Sequence, residues 1–103
     1  MSSSSVNRDA SVAAALGRSE PLAALMQRMR ESKARFEAVR SLLPDTLQPI
    51  VRAGPLDDTG WVLLAPHAAA AAKLRQLLPS LQESLRAAGF VERALKVKVV
   101  PPQ

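Results

Sequence analysis

The apolar positions in the first part of the chain recur every three or four residues, which is the spacing of a helix with one buried face. This stripe consists of Leu22, Leu25, Met26, Met29, Phe36, Val39 and Leu43, and the arginines Arg28, Arg30, Arg35 and Arg40 lie mostly off it. Ser19 is a suitable N-cap, and Pro44 disfavours a helical backbone at the residue before it. The pattern therefore predicts a helix from about residue 19 to residue 43.

The next segment is typical of a β-hairpin. Two runs rich in aliphatic residues, 47–56 and 61–65, flank a turn at 57–60, where Asp and Gly accept the backbone angles that a tight turn needs. Pro49 and Pro55 cannot donate the hydrogen bonds of a strand ladder, so the first run is either an edge strand or an interrupted one. We predict two strands here, and we expect the first to be the less regular.

A second helix is predicted from Pro66 and His67 to about Ala88, followed by Gly89, a residue that commonly ends helices. Its apolar face consists of Leu74, Leu77, Leu78, Leu81 and Leu85. Pro79 lies inside this pattern and removes one hydrogen bond of the helix. We therefore expect either a kink at Pro79 or two abutting helices.

The segment 94–100 predicts a third strand, because its residues alternate between apolar and basic. Leu95, Val97 and Val99 form one side, and Lys96, Lys98 and Val100 lie on the other. This is the pattern of a half-buried strand with a basic outer face.

The order helix-strand-strand-helix-strand predicts an α+β fold, a small three-stranded sheet with two main helices packed on one face. The other face is left to solvent or to a partner. Since the chain has only three aromatic residues, we expect Trp61 to fill the core or pack on the hairpin rather than stack on a nucleic-acid base.

The domain organisation follows from composition. Residues 1–18 are rich in Ser and Ala and predict a disordered tail, residues 19–100 predict one domain, and residues 101–103 form the C-terminal end. The start of the chain lacks a basic region, and its apolar run at 12–16 is too short for a signal peptide or a membrane span. We expect a cytoplasmic protein that does not contact a membrane.

Catalytic groups are scarce in this sequence. It has no cysteine and one histidine, which excludes disulfides, thiolate metal sites and sites built from several imidazoles. No serine lies in a nucleophile elbow, and the four glycines are too widely spaced to cradle a phosphate. We interpret His67 as a turn or cap residue and Asp57 and Asp58 as turn residues. The sequence thus predicts a protein that is not an enzyme and holds neither metal nor cofactor.

Charge is the distinctive chemical property of the chain. Fourteen Lys and Arg residues against nine Asp and Glu give a net charge of +5, which favours a polyanion such as DNA or an acidic protein surface. From residue 73 onward the only acids are Glu83 and Glu92. The basic residues of this region, our candidate nucleic-acid contacts, are Lys73, Arg75, Arg86, Arg93, Lys96 and Lys98. Arg75, Gln82 and Arg86 share one stripe of the helix. The alternative interpretation is a solvated surface that only keeps the protein soluble.

Several segments after residue 60 resemble the DciA family of bacterial replicative helicase loaders or operators. They are the run Trp61–Ala65, the run Ala71–Pro79, the apolar positions Leu81 and Leu85, Gly89, and the run Leu95–Val99. The resemblance covers about residues 20–100. Its most specific part is the sequence Ala-Lys-Leu-Arg-Gln-Leu at 72–77.

This resemblance implies a domain similar to the K-homology fold, a three-stranded sheet with helices on one side. It also implies binding to the hexameric replicative helicase and to single-stranded or forked DNA, without ATPase activity. Lys73, Arg75 and Gln76 are the contact residues that it suggests. The chain departs from the family at 36–44, where many members have a Trp-containing segment that ends in Gly. It also lacks the paired glycines with which K-homology domains grip nucleotides.

A second hypothesis from a different class remains open. The domain could be a protein-interaction or dimerisation module without a nucleic-acid role, and the sheet face that the helices leave uncovered would then be its binding surface.

Overall fold

A computed structural model of the chain describes residues 20–102. The predicted N-cap Ser19, the predicted tail at 1–18 and Gln103 lie outside these described residues. The elements are α1 (Glu20–Val39), a short 3-10 helix (Arg40–Leu42), β1 (Arg52–Asp57), β2 (Gly60–Ala65), α2 (Ala68–Ala87) and β3 (Leu95–Val99). The predicted order of helices and strands is confirmed.

The three strands form one mixed sheet in the order β1-β2-β3. β1 and β2 pair antiparallel as a hairpin, whereas β2 and β3 are parallel and are connected through α2. On the central strand, Trp61, Leu63 and Ala65 are buried, and Val62 and Leu64 on the opposite face are half-buried. Side chains of both helices pack with Trp61, Leu63 and Ala65 in the core. The predicted arrangement of two helices on one sheet face is thus confirmed.

The segment between α1 and β1 is not a strand, so the prediction that the first strand begins at residue 47 is wrong. The Leu47 amide donates to the Pro44 carbonyl at 2.8 Å, and the Val51 amide donates to the Leu47 carbonyl at 3.0 Å. Leu43, Leu47 and Val51 are buried. Their spacing of four residues is that of helical turns, and Pro49 could not have joined a ladder.

The second helix is continuous through Pro79, so two abutting helices are excluded. Pro79 is exposed, and on that side water can satisfy the carbonyl group that proline leaves without an amide partner. His67 is the N-cap, as predicted: its Nδ1 accepts a hydrogen bond from the Ala70 amide at 3.1 Å. Beyond the helix, Gly89 has a φ of +92°, a conformation that suits glycine at a helix end.

Only the second half of α1 packs against the sheet, so the predicted apolar stripe is partly wrong. Its first members are exposed on the helix surface, namely Leu22, Leu25, Met26 and Met29, and the buried residues of α1 are Ser32, Arg35 and Val39. A helix of 20 residues is about 30 Å long, whereas a strand of six residues spans about 20 Å. The helix is therefore too long for the sheet to cover it.

Arg35 is buried, with 1% of its surface exposed, whereas the sequence pattern places the arginines of this helix mostly off its apolar stripe. Its Nη2 donates to the Val91 carbonyl at 2.6 Å and its Nε donates to Glu31 Oε2 at 2.9 Å. The guanidinium carbon lies 5.3 Å from the centre of the Phe90 ring. Arg35 thus fastens the segment that joins α2 to β3 onto α1.

Trp61 is fully buried, which confirms its predicted place in the core and removes it as a base-stacking platform. Its Nε1 donates to Ser32 Oγ at 2.9 Å, and this hydroxyl donates to the Gly54 carbonyl at 2.8 Å. A buried indole N–H needs such a partner. The pair therefore connects α1 to both strands of the hairpin.

Candidate nucleic-acid interface

The third strand places two lysines on the sheet face that carries no helix, as the sequence predicts. In the parallel pairing, Lys96 lies beside Val62 and Lys98 lies beside Leu64. Both lysines are exposed, and their two neighbours on β2 are half-buried. This face therefore combines cationic side chains with a small aliphatic surface.

Arg52 joins the lysines on this face, because it pairs with Leu64 from the β1 side and is exposed. Arg52 is not among the contact residues predicted from the sequence. The pairing of β1 with β2 shifts by one residue between Ala53 and Leu56, which is a β-bulge. In a regular ladder Arg52 would face Ala65 on the helix-covered side. The Gly-Pro pair inside β1 is the signal that could have indicated the bulge.

Arg75 reaches the same region from α2. Its Nη2 lies 3.5 Å from the carbonyl oxygen of Val97, which is a long contact between exposed groups. Val97 is the residue between the two lysines of β3. We refer to Arg52, Arg75, Lys96 and Lys98 together as the sheet cluster.

The other two candidates at the start of α2, Lys73 and Gln76, are exposed. They lie in the half of the helix that carries Arg75. Lys73 and Arg75 flank the buried Leu74 and are about 200° apart around the helix, so the structure does not bring Lys73 beside the sheet cluster.

Arg86 and Arg93 lie at the opposite end of α2, away from Arg75. Arg86 Nη1 is 2.6 Å from Glu83 Oε1, and its Nη2 is 3.7 Å from Glu92 Oε2. Arg93 is half-buried and donates to the Glu92 carbonyl at 3.3 Å. The structure thus divides the predicted cations into two groups, and in the second group acidic neighbours offset the charge of Arg86.

The hairpin turn borders the sheet cluster at Lys96, whose Nζ is 3.5 Å from Thr59 Oγ1. Asp57 is the last residue of β1 rather than a residue of the turn itself, but its side chain bonds to the turn: its Oδ1 accepts from the Thr59 hydroxyl at 2.6 Å and from the Thr59 amide at 2.8 Å. These two hydrogen bonds, with smaller effects from the Gly60 amide and Lys96, lower the pKa of the Asp57 carboxyl below its ordinary value. The ionised carboxylate therefore stabilises the turn.

Replacing Asp57 by Asn should lower stability at pH 6 and matter less in acid. Because the pKa of Asp57 is lower in the folded chain, its contribution is present above the unfolded pKa and is lost as the pH falls through the folded value. We expect the difference in urea midpoint between the parent and Asp57→Asn to shrink from pH 6 to about pH 3, below the usual aspartate pKa of about 3.9. An equal difference at both pH values would contradict this role.

The sheet cluster offers cations and aliphatic groups but no aromatic platform. Trp61 is buried on the helix side of the sheet, and Phe36 and Phe90 pack against the core there. Such a surface can bind phosphates with Lys and Arg, whereas stacking of bases on aromatic rings is not available.

None of the helices among residues 20–102 is long and apolar enough to cross a membrane.

No protein-family model matches the chain, and no curated protein shows significant sequence similarity to it.

Proposed function

We propose that this domain is a non-enzymatic, cytoplasmic DNA-binding accessory domain that contacts phosphates through the sheet cluster. The observation that carries the proposal is the unpaired state of these four cations. Within residues 20–102, none of them has a carboxylate within 4.0 Å, whereas Arg86 has two. Cations that have no carboxylate in direct contact can pair with phosphates, and they release the counterions of a nucleic acid when they do so.

Single-stranded DNA suits this surface better than a duplex. Val62 and Leu64 lie between the cations and are half-buried, so they can contact sugars and unpaired bases. A duplex keeps its bases stacked inside and presents mainly phosphates. Neighbouring strands are about 4.8 Å apart and residues on one side of a strand are about 7 Å apart. The cluster is therefore wide enough for a few phosphates of one strand.

The replicative helicase is the protein partner that we propose. The sequence at 72–77 resembles that of the DciA family, and the element order α-β-β-α-β supports a K-homology-like domain of the kind found there. The exposed residues of this segment, Lys73, Arg75 and Gln76, are the proposed contacts carried over from the resemblance. Size-exclusion chromatography with light scattering, run on the chain mixed with a purified bacterial replicative helicase, tests the proposed helicase binding. Co-elution of the two proteins supports binding, and separate elution contradicts it.

The affinity for an oligo-dT strand should fall steeply with salt. Each phosphate neutralised on a single strand contributes about −0.7 to the slope of log affinity against log salt, so four contacts predict a slope of about −3. Fluorescence anisotropy at several salt concentrations measures this slope, with a duplex of equal length for comparison. A slope near zero would exclude the phosphate contacts, and self-association without DNA binding would favour the interaction-module hypothesis.

A further inference from the structure

An apolar groove lies between residues 25–36 of α1 and the strand β1. It has a volume of about 660 Å³, and its lining includes Leu25, Met29 and Phe36 from α1 and Ala53 to Asp57 from β1. Leu25 is 50% exposed and Met29 is 62% exposed. Large apolar side chains that line one exposed groove are typical of a binding surface, whereas scattered ones are not.

The dimensions of the groove suit a helix. Residues 25 to 36 of α1 rise about 16 Å, which is three helical turns. An extended peptide that adds a strand to β1 is disfavoured, because Pro55 has no N–H to donate and the bulge at Gly54 and Pro55 interrupts the edge. Methionine at position 29 adapts its shape to an apolar partner.

The charges on the groove select an acidic occupant. Arg28 and Lys33 line it, and both are exposed. Asp57 also lines it and is ionised, since its pKa is lowered by the hydrogen bonds from Thr59, so the lining carries two cations against one anion. A second copy of the chain is a poor occupant, because a symmetric interface brings the same patch of both chains together. The cations of one copy would then lie close to those of the other.

We propose that this groove binds an acidic amphipathic helix of another protein. Leu25, Met29 and Phe36 contact its apolar side chains, and Arg28 and Lys33 pair with its carboxylates. None of the four cations of the sheet cluster lines this groove, although Leu64, which lies between those cations, does, and the proposal does not depend on DNA binding.

A designed helical peptide of about 14 residues, four turns long, tests the proposal. It carries leucines at helical spacing and glutamates elsewhere. One control peptide has lysine in place of each glutamate, and a second has serine in place of each leucine. We expect the acidic peptide to bind the full chain, and both controls to bind at least tenfold more weakly in fluorescence anisotropy. Equal binding of the acidic and the lysine peptides would contradict the proposed charge selection.

Matched variants on α1 locate the site. Leu25→Ser and Met29→Ser should each weaken binding of the acidic peptide about tenfold, because each removes an exposed apolar contact of the groove. Met26→Ser is the control, since Met26 is also exposed, at 39%, but does not line the groove. Lys33→Glu should weaken binding of the acidic peptide and strengthen binding of the lysine peptide. Arg30 lies outside the groove lining, so Arg30→Glu should change the affinities for the two peptides less.

Two results would overturn the proposal. One is an equal affinity of the acidic peptide for Met29→Ser and Met26→Ser. The other is a dimer of the parent chain in light scattering that Leu25→Ser and Met29→Ser convert to a monomer, since a second copy would then occupy the groove. Oligo-dT binding of Met29→Ser should match the parent, so failure of the groove proposal is distinguishable from failure of the sheet cluster.

Discussion

Replacing Arg35 by Ala is expected to lower the free energy of unfolding by about 3 kcal/mol. Loss of one partner from a buried ion pair typically costs about 3–5 kcal/mol, and the lower end applies because Glu31 is 32% exposed and can be rehydrated. The substitution also leaves the Val91 carbonyl without its donor and removes the group that covers the Phe90 ring. Urea unfolding followed by the fluorescence of the buried Trp61 measures the loss.

Two variants separate the contributions of Arg35. Arg35→Met keeps much of the volume over Phe90 without the charge, so it should lose less stability than Arg35→Ala. Arg40→Ala removes an exposed arginine of the 3-10 helix that follows α1, and we expect a change within about 0.5 kcal/mol. If Arg35→Ala and Arg40→Ala behaved alike, the contacts of the buried guanidinium would not stabilise the fold.

Replacing the four residues of the sheet cluster by Gln should reduce the affinity for oligo-dT about 600-fold at 0.1 M salt. Counterion release contributes a factor of about five for each phosphate at that salt concentration, given a slope of about −0.7 per phosphate. The salt slope should become shallower by about three for the same reason. Anisotropy titrations of the parent and the variant measure both quantities, and circular dichroism checks that the fold is intact.

A second fourfold variant controls for the loss of charge alone. Arg28, Arg30, Lys33 and Arg40 are exposed on the other side of the core, and their replacement by Gln lowers the net charge by the same amount. Screening over about 10 Å at 0.1 M salt limits their influence on a distant site. We expect a much smaller loss of affinity. An equal loss in both variants would show that net charge, rather than the sheet cluster, drives binding.

The spacing of apolar and polar residues was enough to predict β3, the buried side of α2 and the role of His67. The alternation in 95–99 correctly placed Lys96 and Lys98 on one exposed face, and the leucines of α2 correctly gave its buried side. His67 is predicted as a turn or cap residue from its position at a strand-to-helix junction, and the structure shows that it is the cap. These features depend on neighbours only a few residues away.

The features that escaped prediction depend on contacts between distant parts of the chain. Arg52 reaches the outer face only because a bulge shifts the β1 register. Arg35 is buried because Val91, 56 residues later, supplies an acceptor. The exposure of Met29 reflects the length of α1 relative to a sheet that forms elsewhere in the sequence. The periodicity of apolar residues alone contains no information on contacts between residues that are far apart in the sequence.

The alternation of β3 has a further consequence for how the domain reaches its native pairing. A slip of β3 by one residue along β2 would turn Lys96 and Lys98 toward the helices, where burial of an unpaired ammonium group costs several kcal/mol. It would at the same time expose Leu95 and Val97, which pack against the core. The two lysines that we propose as DNA contacts therefore also destabilise a sheet in which β3 is shifted by one residue, and so they favour the native register.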